Sequence, residues 1–385
     1  MSVKLTNFVK IKINHHMMEN IGGTRDTAVL FHYSSGLVGD AKRILLNKMP
    51  DFGTQAEPTE YRYLIGIENY LTSFFSNGGK NIYVITSNTI TNKFVSDELE
   101  KVPMEYMVVG FANDTATGST SLAESVFRSA AEAWNISKEN EKIYQKIFVS
   151  EIPYSNIATD LEAYETTEGA VKIELYVLKY GSQGIGASVL AYFTRLDVFS
   201  TNATQDYAFT TENYNEASSA GYVFNDNDII ERIIALNFNA DTKLAGQIKN
   251  IGGNDTAGFD LTNQFMLLVL HQTLTEAVLN VLVSKIRYND SGLCLVMNAI
   301  IGQLNQFVSN GYITTNKVWT DPDLYYEGYK IVGTNTPINN GYKVAILPFE
   351  SLSPAERAAH QLPKIFVLLA DSYSIRKIVI DGEVF

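Results

Sequence analysis

The stretch TEYRYLIGIENYLTSFFSNGGKNIYVIT (59–86) decides the fold class. Its first part follows Pro58, repeats apolar residues at helical spacing and stops at Gly78-Gly79, which is how a helix is punctuated. NIYVIT (81–86) is a short β-rich run of the kind that forms a buried strand. Working outward, AVLFHY (28–33), MEYMVVGFA (104–112), KIFVSE (146–151) and VKIELYVL (171–178) predict strands. SLAESVFRSAAEAW (121–134) and residues 185–196 predict helices. From about residue 27 to 216 strands and helices alternate, the pattern of a layered α/β domain.

The remainder reads differently. A small, polar stretch near Asn215 to Asn227 marks a boundary. After it come a helix at DIIERIIAL (228–236), a long amphipathic helix over 268–286 and a second over 292–309. Strands are expected at GYITTNKVW (311–319), YEGYKIV (326–332), GYKVAILPF (341–349), KIFVLLA (364–370) and SIRKIVIDGEVF (374–385). Between them SPAERAAH (353–360) carries a capping box: Ser353 at N-cap, Pro354 at N1 and Glu356 at N3. At the other end, Val3, Leu5, Val9, Ile11 and Ile13 alternate with polar residues, Phe8 excepted, as in a strand, followed by a loop with Gly22-Gly23. The expected fold class is mixed α/β in a multi-domain chain, divided as 1–24, 25–220 and 221–385.

Hydrophobic residues make up 45% of the 385, enough for packed cores, while charged residues are only 19%, below the usual share. Tyr (22) and Phe (20) are plentiful, which suggests extensive buried surface, some of it between subunits. The net charge of −12 argues against a nucleic-acid binder working by phosphate neutralisation. Lys4, Lys10 and Lys12, with no acid through Asn14, leave −15 on the rest. The single cysteine, Cys294, excludes an intrachain disulfide and is expected to be buried in the apolar run 293–299. The first residues lack the apolar core of a signal peptide, and no run approaches the ~18 apolar residues of a membrane span. A soluble protein is expected.

No motif demands chemistry. His15, His16, His32, His271 and His360 show no metal-ligand spacing. GSQGIGAS (181–188) has the spacing GxxGxG, the reverse of a dinucleotide loop, and reads as a tight turn before a helix, with a phosphate loop as the alternative. NIGGNDTAG (250–258) lacks calcium-loop spacing and reads as a connecting turn. No catalytic, cofactor-binding or metal residues are assigned, and no cofactor is expected.

The segment LSPAERAAHQLPKIFVLLADSYSIRKIVIDGEVF (352–385) resembles a phage family assigned as contractile tail sheaths. Members end in a Ser-Pro/Ala-x-Asp/Glu-Arg motif, then a Pro, an apolar strand, a turn and a last strand. Here the motif falls on Ser353, Pro354, Glu356, Arg357 and Pro363. Residues 249–286 and 192–212 are further matches in the same order. One departure is His360, where relatives carry a basic residue after the Ala-Ala pair.

The resemblance implies a self-assembling structural subunit and no enzyme. Residues 1–24 become an arm for strand exchange between subunits, 25–220 an outer domain and 221–385 a sheath core domain. Exchange would run through Val3, Leu5, Val9, Ile11, Ile13, Ile365, Val367, Ile378 and Ile380, by pairing an extended segment with a sheet edge. Burying five apolar side chains does not by itself offset ordering the arm's backbone, so ladder hydrogen bonds of a docked sheet are needed. An ordinary edge strand within its own domain is the alternative for the arm. Glu356, Arg357, His360 and Lys364 are the candidates for an inner, tube-facing surface; the alternative is a plain connector with Arg357 in a local salt bridge. The implied partners are further copies in six-fold rings, the tail tube protein, and baseplate and terminator proteins, with no nucleic acid and no membrane insertion. The implied location is the virion, after assembly in the host cytoplasm. Another tail component or a soluble α/β enzyme are the competing readings.

Overall fold

The computed structural model describes residues 25–52, 61–103, 105–113, 120–141, 145–153, 162, 172–181, 184–199, 207–211, 223–224, 226–284 and 287–370. The chain forms two compact units; among the described residues the first takes 25–196 and 207–265, the second 197–199 and 266–370.

In chain order the first unit runs β1 (Thr27–Tyr33), β2 (Lys42–Leu46), α1 (Glu68–Ser76), β3 (Asn81–Ser87), α2 (Asn92–Leu99), β4 (Val108–Asn113), α3 (Thr120–Glu141), β5 (Ile147–Pro153), β6 (Tyr176–Gly181), α4 (Gly186–Arg195), β7 (Val223–Phe224), α5 (Asn227–Ala235), β8 (Ala240–Leu244) and β9 (Gln247–Ile251). Six strands make one sheet in the order β2-β3-β1-β4-β5-β6. All pair in parallel except β2, which runs antiparallel at the edge of β3. The parallel strands follow the 2-1-3-4-5 order of a doubly wound domain.

Strand alternation sends Val29, Phe31 and Phe111 to one face, where Phe127 of α3 stacks on Phe111 at 5.0 Å and meets Phe31 and Phe148 at 5.8 Å. Leu30 and Gly110 face the other side, under α1 and α4. A Cβ on Gly110 would sit 2.6 Å from Leu190 Cδ1 and 2.7 Å from Tyr70 Oη, so only glycine permits that approach.

Several elements depart from expectation. The helix expected from residue 59 is broken: a 3-10 turn at Arg62–Leu64 precedes α1, and Gly66 between them holds φ +108°, outside helical space. The strand expected over 171–178 begins at Tyr176, because Leu175 is left-handed at φ 62°. The division expected at residue 220 is not where the units part. Phe224, Ile233, Phe238, Ala240 and Ile251 belong to the same core as Phe31 and Phe127, and Asn239 extends the sheet past β6 through Tyr180 N–H to Asn239 O at 2.7 Å.

The helix α6 (Leu261–Val283) leads into the second unit, which continues with α7 (Asp290–Ser309), β10 (Lys317–Val318), β11 (Leu324–Tyr326), β12 (Tyr329–Val332), β13 (Pro337–Ile338), β14 (Tyr342–Ile346), α8 (Pro354–Ala358) and β15 (Ile365–Leu369). Strands β10 with β13 and β11 with β12 form a two-stranded ribbon. The run YEGYKIV is therefore not one strand. Glu327 (φ 48°) and Gly328 (φ 84°) turn the ribbon's tip, as a two-residue hairpin requires. Both α6 and α7 are long and apolar enough to cross a membrane by length and composition, which the reading of uninterrupted apolar runs does not anticipate.

Candidate functional site

The second unit converges on β15. Its sequence, IFVLL, is apolar at every position, and Phe366, Val367 and Leu368 are buried. Phe366 and Leu368 point to one face, where Ile331, Val332 and Leu347 complete a small core and Tyr326 of the ribbon meets Phe366 at 5.0 Å. On the neighbouring β14, Tyr342 Oη donates to Asn305 Oδ1 of α7 at 2.7 Å. The antiparallel register sets Ile346 against Ile365, Val344 against Val367 and Tyr342 against Leu369. Leu347 N–H donates to Lys364 O and Ala370 N–H to Gly341 O. By the alternation of an antiparallel ladder, the N–H and C=O of Ile365, Val367 and Leu369 then point away from β14. No strand pairs with that edge among the described residues. A core strand thus stands at the edge of a two-stranded sheet.

The short helix α8 precedes β15. The expected capping box is present: Ser353 N–H donates to Glu356 Oε2 at 2.8 Å and Glu356 N–H to Ser353 Oγ at 3.3 Å, with Pro354 in the first turn. These bonds from Ser353 hold the Glu356 carboxyl below its ordinary value. His360 closes the helix in a left-handed conformation, φ 52°, and its ring stacks on Tyr288 at 5.2 Å. Lys364 is bonded to Tyr326 Oη and sits 3.0 Å from Glu327 Oε1 at the ribbon tip. Asp323 fixes that ribbon, accepting from Lys330 Nζ at 2.6 Å and Thr334 N–H at 2.7 Å, which draws its carboxyl down to about 2.

The motifs that could have carried chemistry are put to internal use. The amides of Gly184 and Gly186 donate to Glu151 Oε2 at 2.9 and 3.1 Å, so the glycine loop before α4 holds one of the chain's own carboxylates. Burial pushes that carboxyl up to about 7, against the two amides, which favour its charged form. Asp255, in the NIGGNDTAG turn, accepts from Leu175 N–H and Phe259 N–H, both at 2.9 Å, and burial pushes it up to about 6. Lys179 and Asp241, both fully buried, pair at 2.9 Å; Lys179 also donates to Ser188 Oγ at 2.7 Å and Tyr207 Oη at 3.1 Å. Among the described residues no group of acids, histidines or cysteines could hold a metal ion.

Residues 263–383 match the family described as E217 tail sheath protein gp31-like, C-terminal domain. The match covers about the last third of the chain, and that segment is similar to a contractile tail sheath domain. The fold of the chain is shared by a chain in the cryo-EM structure of the anti-feeding prophage (AFP) baseplate, 6-fold symmetrised, at 12% identity and TM-score 0.62, over 94% of this chain and 94% of that one. A chain of the same baseplate in the contracted state aligns at 11% identity and TM-score 0.53, over 97% of each. At these identities the likeness is one of fold. No curated protein matches the sequence.

Ile365 and Val367 lie together in β15, while Val3, Leu5, Val9, Ile11, Ile13, Ile378 and Ile380 lie outside the described residues. Glu356, Arg357, His360 and Lys364 are gathered on α8 and the turn into β15. Three of them have local partners. Arg357 is exposed, and no side-chain partner, salt bridge included, is found for it among the described residues. Cys294 is exposed, against expectation, because the apolar run 293–299 is helical and only Val296 in it is fully buried. The side of β15 left open among the described residues was not readable from the sequence, since only the strand order reveals it.

Proposed function

We propose that the chain is the structural subunit of a contractile tail sheath, polymerising as stacked six-fold rings around a tail tube. The unfinished sheet carries this reading. Isolated two-stranded sheets are marginal in water, yet β15 is as apolar as a central strand and, among the described residues, keeps one side open. A strand delivered by a neighbouring copy would complete it by β-augmentation, with backbone bonds giving strength and alternating side chains giving register. The arm of residues 1–24 and the final strand over 374–385 are the segments proposed to be exchanged. Such contacts are heterologous, and where the rotation does not close they build helical arrays.

Contraction would be a rigid-body rearrangement between two packings of the same subunits, driving the tube through a host envelope without a nucleotide. The proposed division of labour gives bulk and lateral contact to the α/β unit and the mesh to the second. Arg357, exposed on α8, is the favoured contact to the tube. The partners would be the tube, baseplate and terminator proteins, and the location a particle assembled in the host cytoplasm. A place in the baseplate itself is the second reading, favoured by the structures that share the fold.

Overexpressed protein viewed by negative-stain microscopy should form long hollow tubes, and deletion of residues 1–14 should leave folded monomer without tubes. Normal tubes from the truncated chain would sink the strand-exchange mechanism. Closed rings from the intact chain would favour the baseplate reading.

A further inference from the structure

The face of α7 turned away from its own core carries no charged side chain beyond the first turn. Gly292, Val296, Ile300, Leu304 and Phe307 are buried and form a single stripe at helical spacing. Cys294, Asn298, Gly302, Asn305 and Gln306 are exposed, and Leu295 is 50% exposed. Surface helices ordinarily carry charged side chains opposite the buried stripe. Here Asp290, in the first turn, is the one charged residue of the helix. Of its apolar 18-residue window only 28% is buried.

We propose that this face of α7 is a contact surface for a second copy of the same chain, formed in the polymer. The inference rests on the sheath reading. The occupant is chosen on charge, polarity and position. Lipid is a poor fit, because the amides of Asn298 and Gln306 would lose their water partners in hydrocarbon. Nucleic acid would find no cation on the helix to meet its phosphates. A copy of a chain carrying −12 is repelled by acidic surface generally, and a face without charge is where such copies can approach. Its exposed amides can both donate and accept across a protein interface. Position agrees: α7 lies against β14, Tyr342 bonding to Asn305. A copy that adds a strand to the open edge of β15 joins the same compact unit that carries this helix.

Cys294 supplies the test, being exposed on this helix and the single cysteine of the chain. Maleimide labelling is timed on free subunit and on tubes assembled from this chain alone, with no tube protein present. The expected result is rapid labelling of the free subunit and labelling slowed at least about tenfold in tubes, as in a close-packed interface. Equal rates in the two samples overturn the inference and leave the sheath reading standing. Slow labelling of the free subunit also overturns it, since the face would then be covered within one copy. Absence of tubes from the wild-type chain removes the sheath reading, and this inference with it. Gly302→Glu is the companion variant, because a Cβ there meets nothing within 4 Å. It should melt as wild type does and fail to form tubes; normal tubes would count against the contact.

Discussion

β1 and β15 are both apolar strands with buried side chains, yet they are placed differently. β1 has a parallel partner on each side, paired with β3 from Thr27 to Tyr33 and with β4 from Val29 to Tyr33. β15 has β14 alone among the described residues. A strand buried on both faces usually belongs in the middle of a sheet. The α/β unit meets that rule among the described residues, and there the second unit meets it only if a further strand is added.

Proline breaks this comparison open, because it removes one N–H and otherwise suits extended backbone. Phe31→Pro deletes a bond in the middle of the large sheet and empties a fully buried phenyl site, and should unfold the α/β unit, the lost side chain alone costing about 3–5 kcal/mol. Ile365→Pro deletes an N–H that points away from β14. The free subunit should keep its fold, with a melting temperature within a few degrees of wild type, and tube formation should disappear. A free subunit that unfolds would show that residues of the same chain already occupy that edge. Circular dichroism of both variants, with microscopy of the second, separates the outcomes.

How far each region was legible follows from the range of the interactions. The capping box on Ser353, Pro354 and Glu356 is a local pattern and was read in full. β1, β3 and β15 announce themselves by composition. β2 did not, since KRILL mixes exposed Lys42 and Arg43 with apolar residues at a sheet edge. The ribbon was half-read: alternation continues through YEGYKIV, and the Glu327-Gly328 turn that divides it occupies only two residues. Long-range chemistry stayed hidden. Glu151 filling the glycine loop, and Lys179 meeting Asp241, depend on strand order and on residues 33 and 62 positions apart. For the same reason the edge of β15 left unpaired among the described residues follows only from the sheet topology.

A second way to sharpen the contrast is pH, because the carboxyls pushed upward by burial, Glu151 to about 7 and Asp255 to about 6, both lie in the α/β unit. Each folded value exceeds the usual one, so burial penalises the charged form. The stability they contribute is fully present below their ordinary values near 4, and is lost as pH rises through 6 to 7. Glu98 works oppositely: its bond to Arg43 lowers it, so its contribution fades only at acid pH below that window. Between pH 5 and 7.5 the α/β unit should therefore be more stable at the acid end, by about 1–3 kcal/mol given the partial exposure of Glu151. Glu151→Gln should flatten the upper part of the profile. The second unit should slope the other way, since burial lowers His271 of α6 to about 4 and the stability of its neutral form is lost as pH falls below its ordinary value near 6.5. Chemical denaturation at several pH values, followed at probes in each unit, measures the difference, and a profile unchanged in Glu151→Gln would remove Glu151 as its source.

The smallest effect belongs to α8. Ser353→Ala removes the side-chain half of the capping box, worth about 1 kcal/mol at a typical N-cap. The helix spans only Pro354–Ala358, and none of its residues is fully buried. Its order therefore depends on the cap and on the anchors at its far end, His360 on Tyr288 and Tyr288 Oη donating to Gln361 O at 2.9 Å. Global melting should hardly move, while amide exchange at Glu356, Arg357 and Ala359 should quicken severalfold, reflecting local opening. If Arg357 meets the tube, this loosened helix should also weaken tube binding while leaving tubes of the chain alone intact. Binding lost together with those tubes would mean that α8 serves the contacts between copies instead. Exchange rates unchanged from wild type would mean that the aromatic anchor, and not Ser353, holds the helix in place.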